Sequence, residues 1–307
     1  GGEKVAEVKE SVEGFDGVDG FAFSNDGTQL ILMRKDLPLT YVDWKTGKAV
    51  KKLDIKADPK KILCHDFSED QSLLVLGTMS NGIVVWDVKN GKKLKSFLPG
   101  QAISGVDYIT YKTKSGAVVR KIGWGRALMP PNAAWDNVAG IIDLDSGANA
   151  TVLPDVPADK KPPEGSMTFL QANWQWGGGH LLISYYQIPP KIKAGLFIID
   201  AETKKYVTAF ELGQKTLNFN PNYLWKPFYG LSISTNDMSN PMQGYKSATE
   251  FVVWTKEGPK VIDSIDESKL PVQSINYNAD NTLAVISQKK GMSDPATISI
   301  FKVTPKK

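Results

Sequence analysis

Cysteine is nearly missing from this chain: Cys64 is the only one in 307 residues. No disulfide can form within it, and no zinc site built on several thiolates is available. Histidine is almost as scarce, with only His65 and His180, and no two-histidine metal spacing exists. No Gly-x-Ser-x-Gly elbow occurs, and Gly177-Gly-Gly179 is followed by neither Lys-Ser nor Lys-Thr. Neither an α/β-hydrolase nucleophile nor a phosphate loop is therefore encoded. No apolar run approaches the ~18 residues that a membrane-spanning helix needs.

What remains is ordinary globular material. A 41% hydrophobic content with 10% aromatics supports a sizeable core and is too apolar for disorder. The net charge of +4 is mild, and its lysines are spread along the whole length instead of gathering on one face. That pattern reads as solvated surface and not as a nucleic-acid footprint. The first residue is Gly rather than Met, which reads as a processed or trimmed product. With the lack of cysteine, it points to an exported protein, periplasmic or extracellular, over a cytoplasmic one.

One stretch organises the rest. Gly82-Ile-Val-Val-Trp-Asp-Val88 is a run of β-branched and aromatic residues, and Lys89-Asn90-Gly91 follows as a turn before a second strand-like run. Asn-Gly between two such runs is a strong hairpin signal, because both positions accept positive φ. The design recurs at Val42-Asp43, Ile142-Asp143, Ile199-Asp200, Trp254-Thr255 and Phe301-Lys302, spaced about 44 to 57 residues apart. Upstream of several hairpins stands an aromatic strand, a polar turn and an apolar strand. Phe21 to Gly27 leads into Leu30 to Met33, and Asp66 to Asp70 leads into Leu73 to Leu76.

Each unit reads as four short antiparallel strands. Such a sheet cannot bury both faces unless neighbours stack around an axis, which means a β-propeller. These motifs resemble the WD40 and YVTN-type propeller superfamily over essentially the whole chain. The resemblance is one of architecture. Trp86-Asp87 is the one Trp-Asp pair, and the one Gly-His, Gly179-His180, falls in an inner turn outside the WD40 register. The family's His–Asp brace is thus absent or replaced.

The expected fold is all-β: a single six-bladed propeller over residues 1–307, built of four-stranded antiparallel blades, with seven blades as the alternative. The last unit lacks an outer strand, and Val5 to Val12 is available to close the ring. Outer strands rich in lysine (Lys51, Lys52, Lys92, Lys93 and Lys95) protect exposed edges from association. The middle units carry Pro- and Gly-rich insertions, Gly123 to Asn137, Asp155 to Gly165, Gln187 to Lys193 and Asn236 to Lys246. Insertions in propellers map to face loops, where binding residues sit.

Five of the eight tryptophans fall in these middle units outside the recurring hairpins. Trp124, Arg126, Trp135, Trp174, Trp176 and Trp225 are the candidate anchors of a protein or peptide partner, since Trp and Arg dominate binding energy at interfaces. Trp124 and Trp135, flanked by glycine and proline, are the best placed to be exposed. The plainer reading of each aromatic is a wedge between blades. His65 aligns with core positions of neighbouring units and reads as a buried structural histidine. Asp19, Asp66 and Asp107 fall beside the expected axial channel.

The leading function is a non-catalytic interaction module, monomeric, needing no cofactor, binding no nucleic acid and carrying no membrane span. The alternative is an axial-channel hydrolase, lactonase or lyase using the three carboxylates, with Ca²⁺ held by their oxygens as in lactonase-type propellers. Binding of a glycan or another small ligand is the third.

Overall fold

A computed structural model describes residues 2–8, 18–34, 38–55, 62–128, 135–152, 155–161, 168–175, 180–187, 193–200, 203–213, 215–225, 230–237, 246–255, 258–266, 272–277, 282–288 and 297–303. The chain begins with β1 (Gly2–Val8). One sheet follows from β2 (Val18–Phe23), β3 (Gln29–Arg34), β4 (Leu39–Asp43) and β5 (Lys48–Leu53). The next contains β6 (Ile62–Phe67), β7 (Leu73–Thr78), β8 (Ile83–Asp87) and β9 (Lys92–Phe97). Then come β10 (Gly105–Lys112), β11 (Val118–Gly125), β12 (Ala127–Leu128), β13 (Ala139–Asp143) and β14 (Asn149–Thr151). After them run β15 (Thr168–Gln175), β16 (His180–Gln187), β17 (Lys193–Asp200) and β18 (Tyr206–Gly213). β19 (Lys215–Trp225), β20 (Gly230–Asp237), β21 (Lys246–Thr255) and β22 (Gly258–Asp266) make a further sheet. The chain ends with β23 (Val272–Tyr277), β24 (Leu283–Gln288) and β25 (Thr297–Val303).

The expectation of six, or seven, four-stranded blades is corrected here. Among the described residues five sheets are four-stranded, and the remaining one has five strands in the order β12-β15-β16-β17-β18. The cause is the insertion after β11. It leaves its own sheet and pairs Ala127 with Gln171 and Leu128 with Leu170, adding a strand to the next sheet. β12 lies on the axis-facing edge of β15, so backbone groups that would otherwise face the channel are paired there.

Successive sheets touch through their innermost strands: β2 meets β6, β6 meets β10, β10 meets β15, β15 meets β19, β19 meets β23, and β23 returns to β2. The ring is thereby closed. β1 pairs antiparallel with β25, so the last sheet takes its outer strand from the start of the chain.

Stacking explains the sequence pattern. Side chains alternate faces along a strand, and here both faces are covered. Leu30 and Leu32 pack toward Val285 and Ile300 of one neighbour, while Ile31 and Met33 pack toward Leu74 and Leu76 of the other. A continuous apolar run is therefore required, and each such side chain contributes about 1.5–3 kcal/mol on burial.

The hairpin turns use one device. Oδ1 of Asp43, Asp87, Asp143 and Asp200 accepts the amide of Thr46, Asn90, Ser146 and Thr203 at 2.9, 2.9, 2.8 and 2.6 Å. The next position takes positive φ at Gly47, Gly91 and Gly147 (71°, 61° and 78°) and at Lys204 (63°). No helix among the described residues is long and apolar enough to cross a membrane.

Candidate functional site

Strand direction gives the molecule two unlike ends. The tight turns β2–β3, β6–β7 and β10–β11, and the aspartate hairpins, gather at one, the turn end. The links between second and third strands, and between sheets, gather at the other, the insertion end. The stretches between β11 and β13, β16 and β17, and β20 and β21 all leave from the insertion end. The segment after β14 starts there too, but Asp155 bridges to Lys205 at the opposite end, so it runs down the flank.

The two ends differ in how their polar groups are satisfied. At the turn end, Asp26 Oδ1 accepts from Ser24 Oγ (2.6 Å), Thr28 N (3.0 Å) and Thr28 Oγ1 (2.8 Å). Asp70 repeats this with Ser68 and Ser72. These bonds hold both carboxyls below the usual carboxylate range. At the insertion end, Ser80 Oγ, Asn81 Nδ2, Ser104 Oγ and Arg126 Nε are shielded from water without a hydrogen-bond partner. At the turn end, Trp86 Nε1, one residue before the Asp87 hairpin, shares that condition. Such groups are costly and call for an explanation.

The candidate anchors divide between the ends. Trp124, Arg126 and Trp135 lie at the insertion end. Trp174, the penultimate residue of β15, and Trp225, the last of β19, lie at the turn end. Trp176 is outside the described residues. The expectation of an exposed Trp124 is corrected: it is 1% exposed in β11, and its Nε1 donates to Asn149 Oδ1 at 2.8 Å. The reason is Gly140 on the paired strand. A Cβ there would stand 2.3 Å from the indole, so the glycine vacates the space in which the ring lies. Trp135 opens a short 3-10 turn, Trp135–Asn137.

Arg126 is part-exposed. Its amide donates to Val138 O at 2.9 Å, and its carbonyl accepts from Ala172 N at 3.0 Å, which fixes the backbone between two sheets. Its guanidinium Nη1 donates to Asn137 Oδ1 at 2.8 Å.

The axial carboxylates are only partly brought together. Asp66 lies near the end of β6. Its Oδ1 accepts Phe67 N at 2.8 Å and its Oδ2 accepts Tyr108 N of the next sheet at 2.6 Å. Burial pushes its pKa up to about 6 against the opposing pull of those amides and of a hydrogen bond with Asp107. Asp19 is in β2, but its side chain is outside the described residues. No cluster of three or more His, Cys, Asp or Glu able to hold a metal ion occurs among the described residues. Beside the pair, His65 Nε2 stands 3.2 Å from Phe21 O, and burial lowers the histidine pKa to about 4. Gly20 of the adjoining sheet leaves room for its ring. Burial also raises the Cys64 thiol, whose Sγ donates to Ile103 O at 3.4 Å.

Compared with protein-family models and with curated proteins, the sequence matches none. Solved structures decide the architecture. The β-propeller domain of Myceliophteria thermophila Cps50 (Swd1) superposes with a TM-score of 0.56 at 14% identity, covering 99% of this chain and 100% of that one. The RRP9 WD40 repeats superpose with a TM-score of 0.52 at 10% identity, covering 98% and 100%.

This chain has a WD40-like β-propeller architecture.

The Kuenenia stuttgartiensis hydrazine synthase also aligns, with a TM-score of 0.58 at 15% identity, over 88% of this chain and 73% of that one. At such identities the likeness is one of fold alone.

Proposed function

We propose that this propeller is a non-catalytic interaction module that docks a protein or peptide on its insertion end. The observation that carries the reading is the contrast between the two ends. Turn-end carboxylates are satisfied by their own turns, whereas the insertion end holds four shielded polar atoms without partners. Met79, 59% exposed in the β7–β8 turn, adds apolar surface at that end. WD40-like neighbours support the reading at the level of architecture. The test is retention of a stoichiometric partner from native lysate by wild type and by two variants. Met79→Glu should lose the partner, while Asp66→Asn/Asp107→Asn should keep it. Loss by the second variant alone, with folding intact, would move the site to the axis.

A second reading rests on one observation, the Asp66–Asp107 pair. A buried carboxyl poised near pH 6 is the kind of group that general acid–base chemistry uses. Two backbone amides already occupy its oxygens, so this reading needs the pair to open.

A further inference from the structure

We infer that Arg126 is the anion-reading element of the docking face and takes a carboxylate from an acidic segment of the partner. The inference rests on the interaction-module reading and adds the partner's chemistry to it.

The chain has three arginines, Arg34, Arg120 and Arg126. Arg120 is exposed and already paired with Asp145. Arg126 is half-buried, and its Nη1 donates to the neutral Asn137 Oδ1 at 2.8 Å. The nearest carboxylate in sequence, Asp136, is exposed and stands beside that asparagine without bonding the guanidinium. Residues 129–134, Met-Pro-Pro-Asn-Ala-Ala, contain no acid, so the rest of the same insertion cannot supply one. Among the described residues no carboxylate bonds this guanidinium; part-burying a cation in that way is unfavourable, and a partner carboxylate relieves it. Asn137 holds Nη1 in place, so the guanidinium is oriented before the partner arrives. That lowers the ordering cost of a charge-assisted bond.

Its surroundings define the rest of the ligand. A continuous backbone belt runs from Thr78 O to Ile103 N at 3.0 Å, then from Ser104 N to Gly125 O at 2.9 Å, and so to Arg126. At the far end of this belt stand Met79, 59% exposed, and Leu63, 36% exposed. A fixed cation at one end of this belt and two accessible apolar side chains at the other fit a peptide carrying both Asp or Glu and an apolar residue.

The test uses a random peptide library displayed on phage and panned against the full chain. Wild type should enrich peptides carrying both Asp or Glu and an apolar side chain. Arg126→Gln should bind those peptides about ten- to a hundredfold more weakly at unchanged melting temperature. Arg126→Glu should shift selection toward Lys and Arg. Should Arg126→Gln fail to fold, Asn137→Ala keeps the charge but frees the guanidinium, and a several-fold loss is expected. Absence of acidic enrichment, or equal binding by Arg126→Gln, overturns the inference. Peptides lost with Met79→Glu but indifferent to residue 126 would sink this inference and leave the docking face standing. Binding indifferent to both residues, or no peptide selected at all, would sink both.

Discussion

His65 and Asp66 are neighbours with opposite responses to acid. The folded state lowers the His65 pKa from 6.5 to about 4, so it rejects a proton that the unfolded chain accepts. That contribution is present above pH 6.5 and lost as pH falls toward 4. The folded state raises the Asp66 pKa from 3.8 to about 6, so it keeps a proton that the unfolded chain releases. That contribution is present below pH 4 and lost as pH rises through 6. Each shift corresponds to about 3 kcal/mol, and over the same window the two slopes offset each other. Urea unfolding from pH 5 to 6.5, above the range in which the turn aspartates titrate, should therefore be nearly flat for wild type. His65→Gln should lose stability as pH rises, and Asp66→Asn should gain it. Variants as flat as wild type would contradict this assignment.

Gly140 gives a second prediction at this scale. Gly140→Ala sets a Cβ 2.3 Å from a buried indole, and overpacking of that kind costs about 1–3 kcal/mol. Thermal melting would read it. The sequence could have offered this clue, since a glycine inside a strand marks a close approach. Reading Trp124 as exposed followed its flanking glycines and overlooked the one on the paired strand.

Among the elements, the regular strands were legible because stacked sheets impose a double-sided apolar run, as in Leu30 to Met33, and because Asp-turn hairpins repeat. β12 was not legible. Two residues inside a Pro-rich insertion carry no period, and their pairing partner, β15, is some forty residues away in sequence. Leu128 anchors it, at 6% exposure. Leu128→Ala should cost about 2–3 kcal/mol and raise hydrogen exchange at Leu170 and Ala172, whose amides face β12 and the Arg126 carbonyl before it. Unchanged exchange at these two amides would mean that the fifth strand does not hold in solution.

For the molecule as a whole, the ring sorts its chain into a turn end whose aspartates are held by their own turns and an insertion end where four shielded polar atoms gather. The sequence located the insertions but could not say which anchors share a face, because that depends on the parity of strands from each anchor to the axis. Trp174 and Trp225 fall at the turn end for this reason alone. The most direct measurement is site-specific photocrosslinking in native lysate. One photoreactive residue replaces Met79 at the insertion end, and another replaces the exposed Glu69 at the turn end. A single defined adduct from position 79, and none from position 69, is the predicted result. The same adduct from position 69 alone would place the partner on the wrong end and contradict the account.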